Sequence, residues 1–124
     1  DERTVMDRKH AKYEMLLERC KALPPTPTAV AHPCDESSIS AAVDAAKAGL
    51  IAPILVGPVD RIKAAAAAAG VDITPYPLVD AEFSQDAALK AVAEVRAGRA
   101  EALMKGSLHT DELMGAVVKR ETGL

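Results

Sequence analysis

The chain has 124 residues, of which 49% are hydrophobic and 27% charged, and its formal net charge at pH 7 is −3. This length suits one domain or one lobe of a larger protein, and the globular composition excludes wholesale disorder. The acidic balance argues against a nucleic-acid binder, and no apolar run is long enough to span a membrane. Two cysteines in such a composition indicate free thiols, and we expect a cytoplasmic location.

Helical and strand periodicities alternate along the chain. Residues 3–22 predict an amphipathic helix that ends before a group of prolines, so we expect residues 1–25 to form a leading helix and a proline-rich linker. Residues 26–124 are expected to form one lobe. Its predicted strands are 28–32, 53–57, 76–80 and 100–104, and its predicted helices are about 36–48, 58–70, 83–97 and 110–120.

This order predicts an α/β fold, a three-layer α/β/α lobe with a mainly parallel sheet. Strands that alternate with helices of ten or more residues are typical of right-handed crossover connections. Ligands of such sheets bind outside the carboxyl ends of the strands. The chemistry is therefore expected in the four loops that follow the strands, at 32–38, 57–60, 80–84 and 105–111.

The last loop offers several groups that suit a phosphoryl ligand: Lys105, Gly106, Ser107, His109 and Thr110. A cation, a glycine that permits close backbone approach and short donors near a helix N-terminus favour anion binding. The alternative is a simple turn, with Thr110 as the helix N-cap and two following acids complementing the helix dipole. The local pattern leaves both interpretations open.

The first loop combines His32, Cys34 and Asp35, which suggests a metal site or a thiol nucleophile. No second ligand cluster completes a tetrahedral site, so we expect no metal. Cys34 as a nucleophile would need activation by His32. The simpler interpretation is a loop in which Asp35 or Ser38 caps the next helix. Arg61 is expected on a solvated helix face.

Three stretches of the chain resemble one enzyme family. They are Val30–Ile39, Ala46–Pro58 and, most specifically, Glu101–Met114. The chain from about residue 30 to residue 124 resembles the N-terminal part of the phosphate acetyl/butyryltransferase family. The opening segment, residues 12–25, looks most like members that are fused downstream of an enoyl-CoA hydratase-like domain.

The resemblance implies reversible acyl transfer between coenzyme A and inorganic phosphate, which gives an acyl phosphate. It implies two lobes with an isocitrate/isopropylmalate dehydrogenase-like architecture, a cleft between them and a homodimer. Coenzyme A and acyl-CoA would be substrates, and no tightly bound cofactor is expected. The partners would be these small molecules, without nucleic acid or a membrane.

Carried over residue by residue, the resemblance places substrate contacts on two loops. They are His32, Asp35 and Ser37 on the first, and Lys105, Gly106, Ser107, His109 and Thr110 on the last. Relatives often have arginines where this chain has Ser37 and Gly115. The family's catalytic Ser, Arg and Asp are expected downstream, so the chain is expected to be a fragment with no catalytic residue and no turnover alone.

Two other interpretations stay open from the sequence. The first is a non-catalytic regulatory or oligomerising relative of the same family, which the Ser37 and Gly115 departures favour. The second is an unrelated flavodoxin-like binding or signalling module. A receiver domain of that kind would need a phosphorylatable Asp after a central strand, where this chain has Gly57 and Pro58.

Overall fold

The computed structural model describes residues 24–119 and 123–124, so the predicted helix at 3–22 lies outside the described residues. Four strands alternate with four helices there: β1 (Thr26–Ala31), α1 (Glu36–Lys47), β2 (Ile51–Gly57), α2 (Val59–Ala69), β3 (Leu78–Asp80), α3 (Ser84–Arg96), β4 (Ala102–Lys105) and α4 (Thr110–Val118). None of the described helices is long and apolar enough to cross a membrane.

The strands form one parallel sheet in the order β3-β2-β1-β4. The first strand is central: Ala31 pairs with Val56 of β2 on one side and with Lys105 of β4 on the other. Because all four strands run in one direction, their carboxyl ends meet at the same edge of the sheet. The predicted α/β class and parallel sheet are confirmed.

Helices cover both faces of the sheet, as predicted. Successive residues of a strand point to opposite faces. Val30 and Leu55 accordingly pack with Ile39 of α1 and Ile62 of α2, whereas the other face packs against α3 and α4. The core on that second face is rich in alanine: Ala29, Ala31, Ala81, Ala87, Ala88, Ala91, Ala100 and Ala116. Small side chains let these helices lie close to the sheet, and the three-layer arrangement is confirmed.

All four strands differ from the prediction by one or two residues at an end, and two of these differences have identifiable backbone reasons. β1 ends at Ala31 and not at His32, because His32 has a left-handed φ of 58° that takes the chain out of the strand. β3 starts at Leu78 and not at Tyr76, because the Tyr76 amide donates to the Ile73 carbonyl in a turn and Pro77 has no N–H. β4 is shifted towards the carboxyl end and includes Lys105.

The start of α2 differs from the prediction, and so does the N-cap of α4. Pro58 is the N-cap of α2 and not its first residue, and His109, not Thr110, is the N-cap of α4. α1 begins as predicted, with the Asp35 carboxylate accepting from the Ser38 amide. α4 ends at Val118, and the remainder of its predicted span includes residues outside the described part of the chain.

Candidate functional site

The loops at the carboxyl edge of the sheet enclose a cleft of about 570 Å³. Its lining comes from the β1–α1 loop, the first turn of α2, the start of α3 and the β4–α4 region. The lining residues are His32, Asp35, Arg61, Phe83, Ser84, Ser107, Leu108, His109 and Glu112. This is the edge at which parallel α/β sheets bind their ligands.

The first and last of these loops are joined by backbone hydrogen bonds. The Gly106 amide donates to the Ala31 carbonyl at 2.8 Å, and the Ser107 amide donates to the His32 carbonyl at 2.7 Å. These bonds extend the β1–β4 pairing beyond the sheet. The two loops that the sequence singled out are therefore one structural unit.

Gly106 lies buried at this junction, where there is no room for a side chain. A Cβ atom built there would lie 2.6 Å from the His32 carbonyl carbon and would also collide with the carbonyl oxygens of Ala31 and His32. All three atoms belong to backbone that is held by hydrogen bonds. Glycine is thus needed here for close approach of two backbones of the chain itself, and the expected approach of a ligand to Gly106 stays a prediction.

The Ser107 side chain ties the same junction together. Its hydroxyl donates to the His32 carbonyl at 2.9 Å and accepts from the Cys34 amide at 3.2 Å. The Nδ1 atom of His32 lies 3.1 Å from this hydroxyl oxygen and 3.2 Å from the Ser107 carbonyl oxygen.

These contacts assign the tautomer of His32. The Ser107 carbonyl can only accept, and the single hydroxyl hydrogen of Ser107 goes to the His32 carbonyl. Both neighbours of Nδ1 therefore act as acceptors, so Nδ1 carries the proton. The ring is buried, with 4% of the residue exposed, and Nε2 has no hydrogen-bond partner among the described residues.

Asp35 lines the cleft and also caps α1. Its carboxylate accepts from the Ser38 hydroxyl and, at 2.8 Å, from the Ser38 amide. These two hydrogen bonds, with a smaller contribution from the charge of Lys105, lower the pKa of the Asp35 carboxyl. The capping role that the sequence offered for Asp35 or Ser38 is confirmed for Asp35.

We expect Asp35→Ala to lower the free energy of unfolding by about 1 kcal/mol at neutral pH, because α1 loses its N-cap. A carboxyl whose pKa is lowered in the folded state stabilises the fold above its unfolded pKa, and this contribution is lost as the pH falls through the folded pKa. Urea unfolding of both proteins at neutral and acidic pH should therefore show the difference shrinking in acid. Asp44→Ala, at an exposed position of the same helix, is the control. An equal loss for both variants would contradict the capping role.

Glu112 joins the third loop to the last one. Its carboxylate accepts from the Ser84 hydroxyl at 3.0 Å and from the His109 amide at 3.4 Å. The second of these bonds forms part of a capping box at the start of α4. This acid is thus engaged in local hydrogen bonds at the cleft wall.

The predicted site residues divide into two groups. The cleft brings together His32, Asp35, Ser107 and His109, and Gly106 lies at the junction behind them. Three others do not line it: Lys105, Ser37 and Thr110 are all exposed. Lys105 is still near enough to Asp35 for its charge to act on that carboxyl.

Five lining residues were not predicted as site residues: Phe83, Leu108, Glu112, Arg61 and Ser84. Arg61 is exposed on α2, as expected, but it also lines the cleft. Ser84 opens α3 at the end of a loop that the sequence did place at the carboxyl edge. The available signal was position: both follow the carboxyl end of a strand within a few residues.

Cys34 has the environment of a structural thiol. Burial raises the pKa of the thiol, and the nearby Arg61 charge opposes this only in part. A raised thiol pKa disfavours the nucleophilic thiolate, which agrees with discounting a reactive role. In the described part of the chain, no group of three His, Cys, Asp or Glu side chains could hold a metal ion.

Comparison with known proteins identifies relatives that this chain matches over part of the relatives' length. The chain is 51% identical over 114 residues to a phosphate acetyltransferase of Rhizobium meliloti, covering 92% of the chain and 36% of that protein. It is 48% identical over 109 residues to a phosphate acetyltransferase of Rickettsia prowazekii, covering 88% of the chain and 31% of that protein. It is 34% identical over 112 residues to a phosphate butyryltransferase of Clostridium acetobutylicum, covering 90% of the chain and 37% of that protein.

No family model matches the chain. The chain spans about a third of the length of the curated relatives it matches. The resemblance found in the sequence is confirmed: the chain is a homologue of phosphate acetyltransferases and phosphate butyryltransferases over that third of their length.

Proposed function

We propose that this chain forms part of a phosphate acyltransferase. The enzyme would transfer an acetyl or butyryl group reversibly between coenzyme A and inorganic phosphate, so that acyl-CoA and phosphate give acyl phosphate and free coenzyme A. The observation that carries the proposal is the 51% identity to a phosphate acetyltransferase over 92% of the chain. Relatives named for both acyl groups leave acetyl and butyryl as the two candidates.

The chemistry of this reaction needs positioned anions more than it needs a nucleophilic side chain. A phosphate oxygen attacks the thioester carbonyl carbon, the C–O bond forms, the C–S bond breaks and the thiolate takes up a proton. Catalysis then depends on orientation and on cations and donors near the developing charge. The cleft supplies Arg61 and His109, and Lys105 lies at the end of β4.

The raised pKa of the Cys34 thiol supports direct transfer without a covalent intermediate on this residue. We further propose that residues 26–124 form one lobe, and that the catalytic Ser, Arg and Asp implied by the family resemblance belong to the remaining two-thirds of the relatives' length. The 124-residue chain alone would then not turn over. We also propose that the complete enzyme is a cytoplasmic homodimer.

The test uses the complete protein that carries this chain. Acetyl-CoA and butyryl-CoA are offered separately with phosphate, and free coenzyme A is followed by thiol titration. Phosphate-dependent release is expected, and the faster substrate identifies the acyl group. No release with either substrate from folded protein would overturn the proposal in favour of a regulatory or oligomerising role.

We expect Lys105→Met to lower kcat/KM of the complete protein about tenfold or more, because one cation near the anionic substrates is lost. Lys63→Met is the matched control, since Lys63 is an exposed cation within α2, whereas Lys105 lies at the end of β4 and its charge acts on the cleft residue Asp35. Both variants should unfold at the same urea concentration as the parent. Equal activity of the two variants would exclude Lys105 from the substrate site.

A further inference from the structure

The last described helix, α4, exposes two large apolar side chains. Met114 is 50% exposed and Val118 is 73% exposed, and both belong to α4. Residues four apart on a helix are neighbours on its surface, so these two side chains form one apolar ridge. Covering the apolar ridge would remove its surface from water, which favours contact with a partner.

A groove of about 310 Å³ lies between α3 and α4. Gln85 and Leu89 line it from α3, and Ala116 lines it from α4. Ala116 contributes only a methyl group where a longer side chain would fill the space. A groove of this kind, between two packed helices, accepts the side chains of a third helix.

Three exposed residues form a line along α4 beside this groove. They are Asp111, Gly115 and Lys119, spaced four residues apart, and all of them line the groove. Gly115 is at the centre of the line, and a Cβ built there would meet open space outside the helix. Glycine is less favourable than alanine inside a helix, but it lets another backbone approach closely. A second helix can therefore approach α4 most closely at Gly115.

The line separates the apolar ridge from the groove. With about 3.6 residues per turn, Met114 and Val118 project to one side of Gly115, and Ala116 projects to the other. A twofold axis that passes through Gly115, perpendicular to α4, exchanges the two sides between antiparallel copies. The apolar ridge of each copy then lies over the groove of the other, which is ridges-into-grooves packing with a self-complementary surface.

The charges of α4 follow the same symmetry. Asp111 and Lys119 lie four residues before and after Gly115, each about 6 Å from it along the helix axis. In an antiparallel pair, Asp111 of each copy lies opposite Lys119 of the other, and Glu112 adds a second acid at that end. A parallel pair would place like charges opposite each other. Within one copy the two residues are about 12 Å apart along the axis, too far for an ion pair.

We propose that two copies of this chain associate through α4, as an antiparallel helix pair whose twofold axis passes through Gly115. The occupant of the groove is thus the apolar ridge of a second copy. The inference rests on the proposed function in one respect, since that function includes a homodimer. It adds the surface through which the two copies meet.

Sedimentation equilibrium of the 124-residue chain measures the association over a range of concentrations. We expect a dimer that dissociates on dilution, because one pair of helices is a small interface. Val118→Asp should raise the dissociation constant about tenfold or more, since it removes an apolar contact at two symmetric places. Lys63→Asp, at an exposed position of α2, is the control and should leave the dissociation constant unchanged. Circular dichroism should show the same helix content for all three proteins.

Charge reversal tests the direction of the helix pair. Asp111→Lys and Lys119→Asp should each weaken the dimer about tenfold, because each change turns two attractive charge pairs into repulsive ones. The double variant restores opposite charges at both places and should recover the dissociation constant of the parent. A role of either residue in the fold of one copy would not give this recovery.

A cysteine on the twofold axis gives a second measurement in the complete protein that carries this chain. Gly115→Cys should form a disulfide between two copies when an oxidant is added, because position 115 faces itself across the axis. Ser37→Cys, at an exposed position of α1, is the control and should give no more cross-linked dimer than the parent. Electrophoresis without reductant separates the linked and unlinked chains.

Two results would overturn the inference. One is a folded chain that stays monomeric, or forms a dimer that none of these variants changes. The other is the absence of a disulfide between the two copies of position 115 in the complete protein, as expected if another part of the same molecule covers α4. Acyl transfer in either case would leave the enzymatic activity standing. Association through α4 without acyl transfer would support this surface and reject the activity.

Discussion

Replacement of Gly106 by alanine is expected to destabilise the fold by about 3 kcal/mol, the upper end of the range seen when a core is overpacked. The added Cβ would meet the His32 carbonyl carbon at 2.6 Å, and it would also collide with the two carbonyl oxygens that accept hydrogen bonds from Gly106 and Ser107. Relief would require β1 and β4 to separate at their carboxyl ends. Urea unfolding followed by circular dichroism measures the loss.

Gly115→Ala is the matched control for this change. Gly115 lies in α4, and a Cβ built there has no other atom within 4 Å apart from its immediate surroundings in the helix. Because alanine is the better helix former, this variant should gain about 0.5–1 kcal/mol. Similar unfolding midpoints for the two variants would show that the junction between the first and last loops accommodates a Cβ at position 106. The fold would then not require glycine there.

Ser107→Ala is expected to cost about 2 kcal/mol, the second largest effect. The hydroxyl donates to the His32 carbonyl and accepts from the Cys34 amide and from His32 Nδ1. Its removal therefore affects several buried polar groups at once. The Cys34 amide keeps a bond to the His32 carbonyl, and Nδ1 keeps the Ser107 carbonyl, which limits the loss. The measurement is again the free energy of unfolding in urea.

Ser37→Ala provides the comparison, since Ser37 is exposed in the first turn of α1. A surface substitution of this kind should stay within about 0.5 kcal/mol. If Ser107→Ala proved as harmless as Ser37→Ala, the Ser107 hydroxyl would not hold the two loops together, and the fixed tautomer of His32 would need another cause.

Much of the fold could be predicted because local and tertiary signals agree. The apolar run Ile54–Val56 predicted a buried strand. The first three helices end one or two residues before a glycine of positive φ, which is Gly49, Gly70 or Gly98. One error arose where a single backbone angle decided the boundary. His32 has a left-handed φ where its carbonyl accepts from the Ser107 hydroxyl of the last loop, and no local pattern in β1 indicates this angle.

The candidate site was predicted as a set of loops and not as a set of contacts. Parallel topology alone brings His32 and Ser107 to one edge of the sheet, but their hydrogen bonds depend on the register between β1 and β4. Arg61 shows the opposite limitation. It and Lys63 are both exposed cations of α2, and only the three-dimensional position of the first turn beside the cleft separates them.

The central position of β1 has a consequence for the time course of folding. β1 is near the beginning of the described chain, yet its second neighbour is β4, and the hydrogen bonds that close their junction join residues 75 positions apart in the sequence. The entropy of closing so long a loop must be overcome before β1 is flanked on both sides. During synthesis β1 would remain an open edge until β4 leaves the ribosome, so the order in which the strands are made sets how long that edge is exposed to wrong partners.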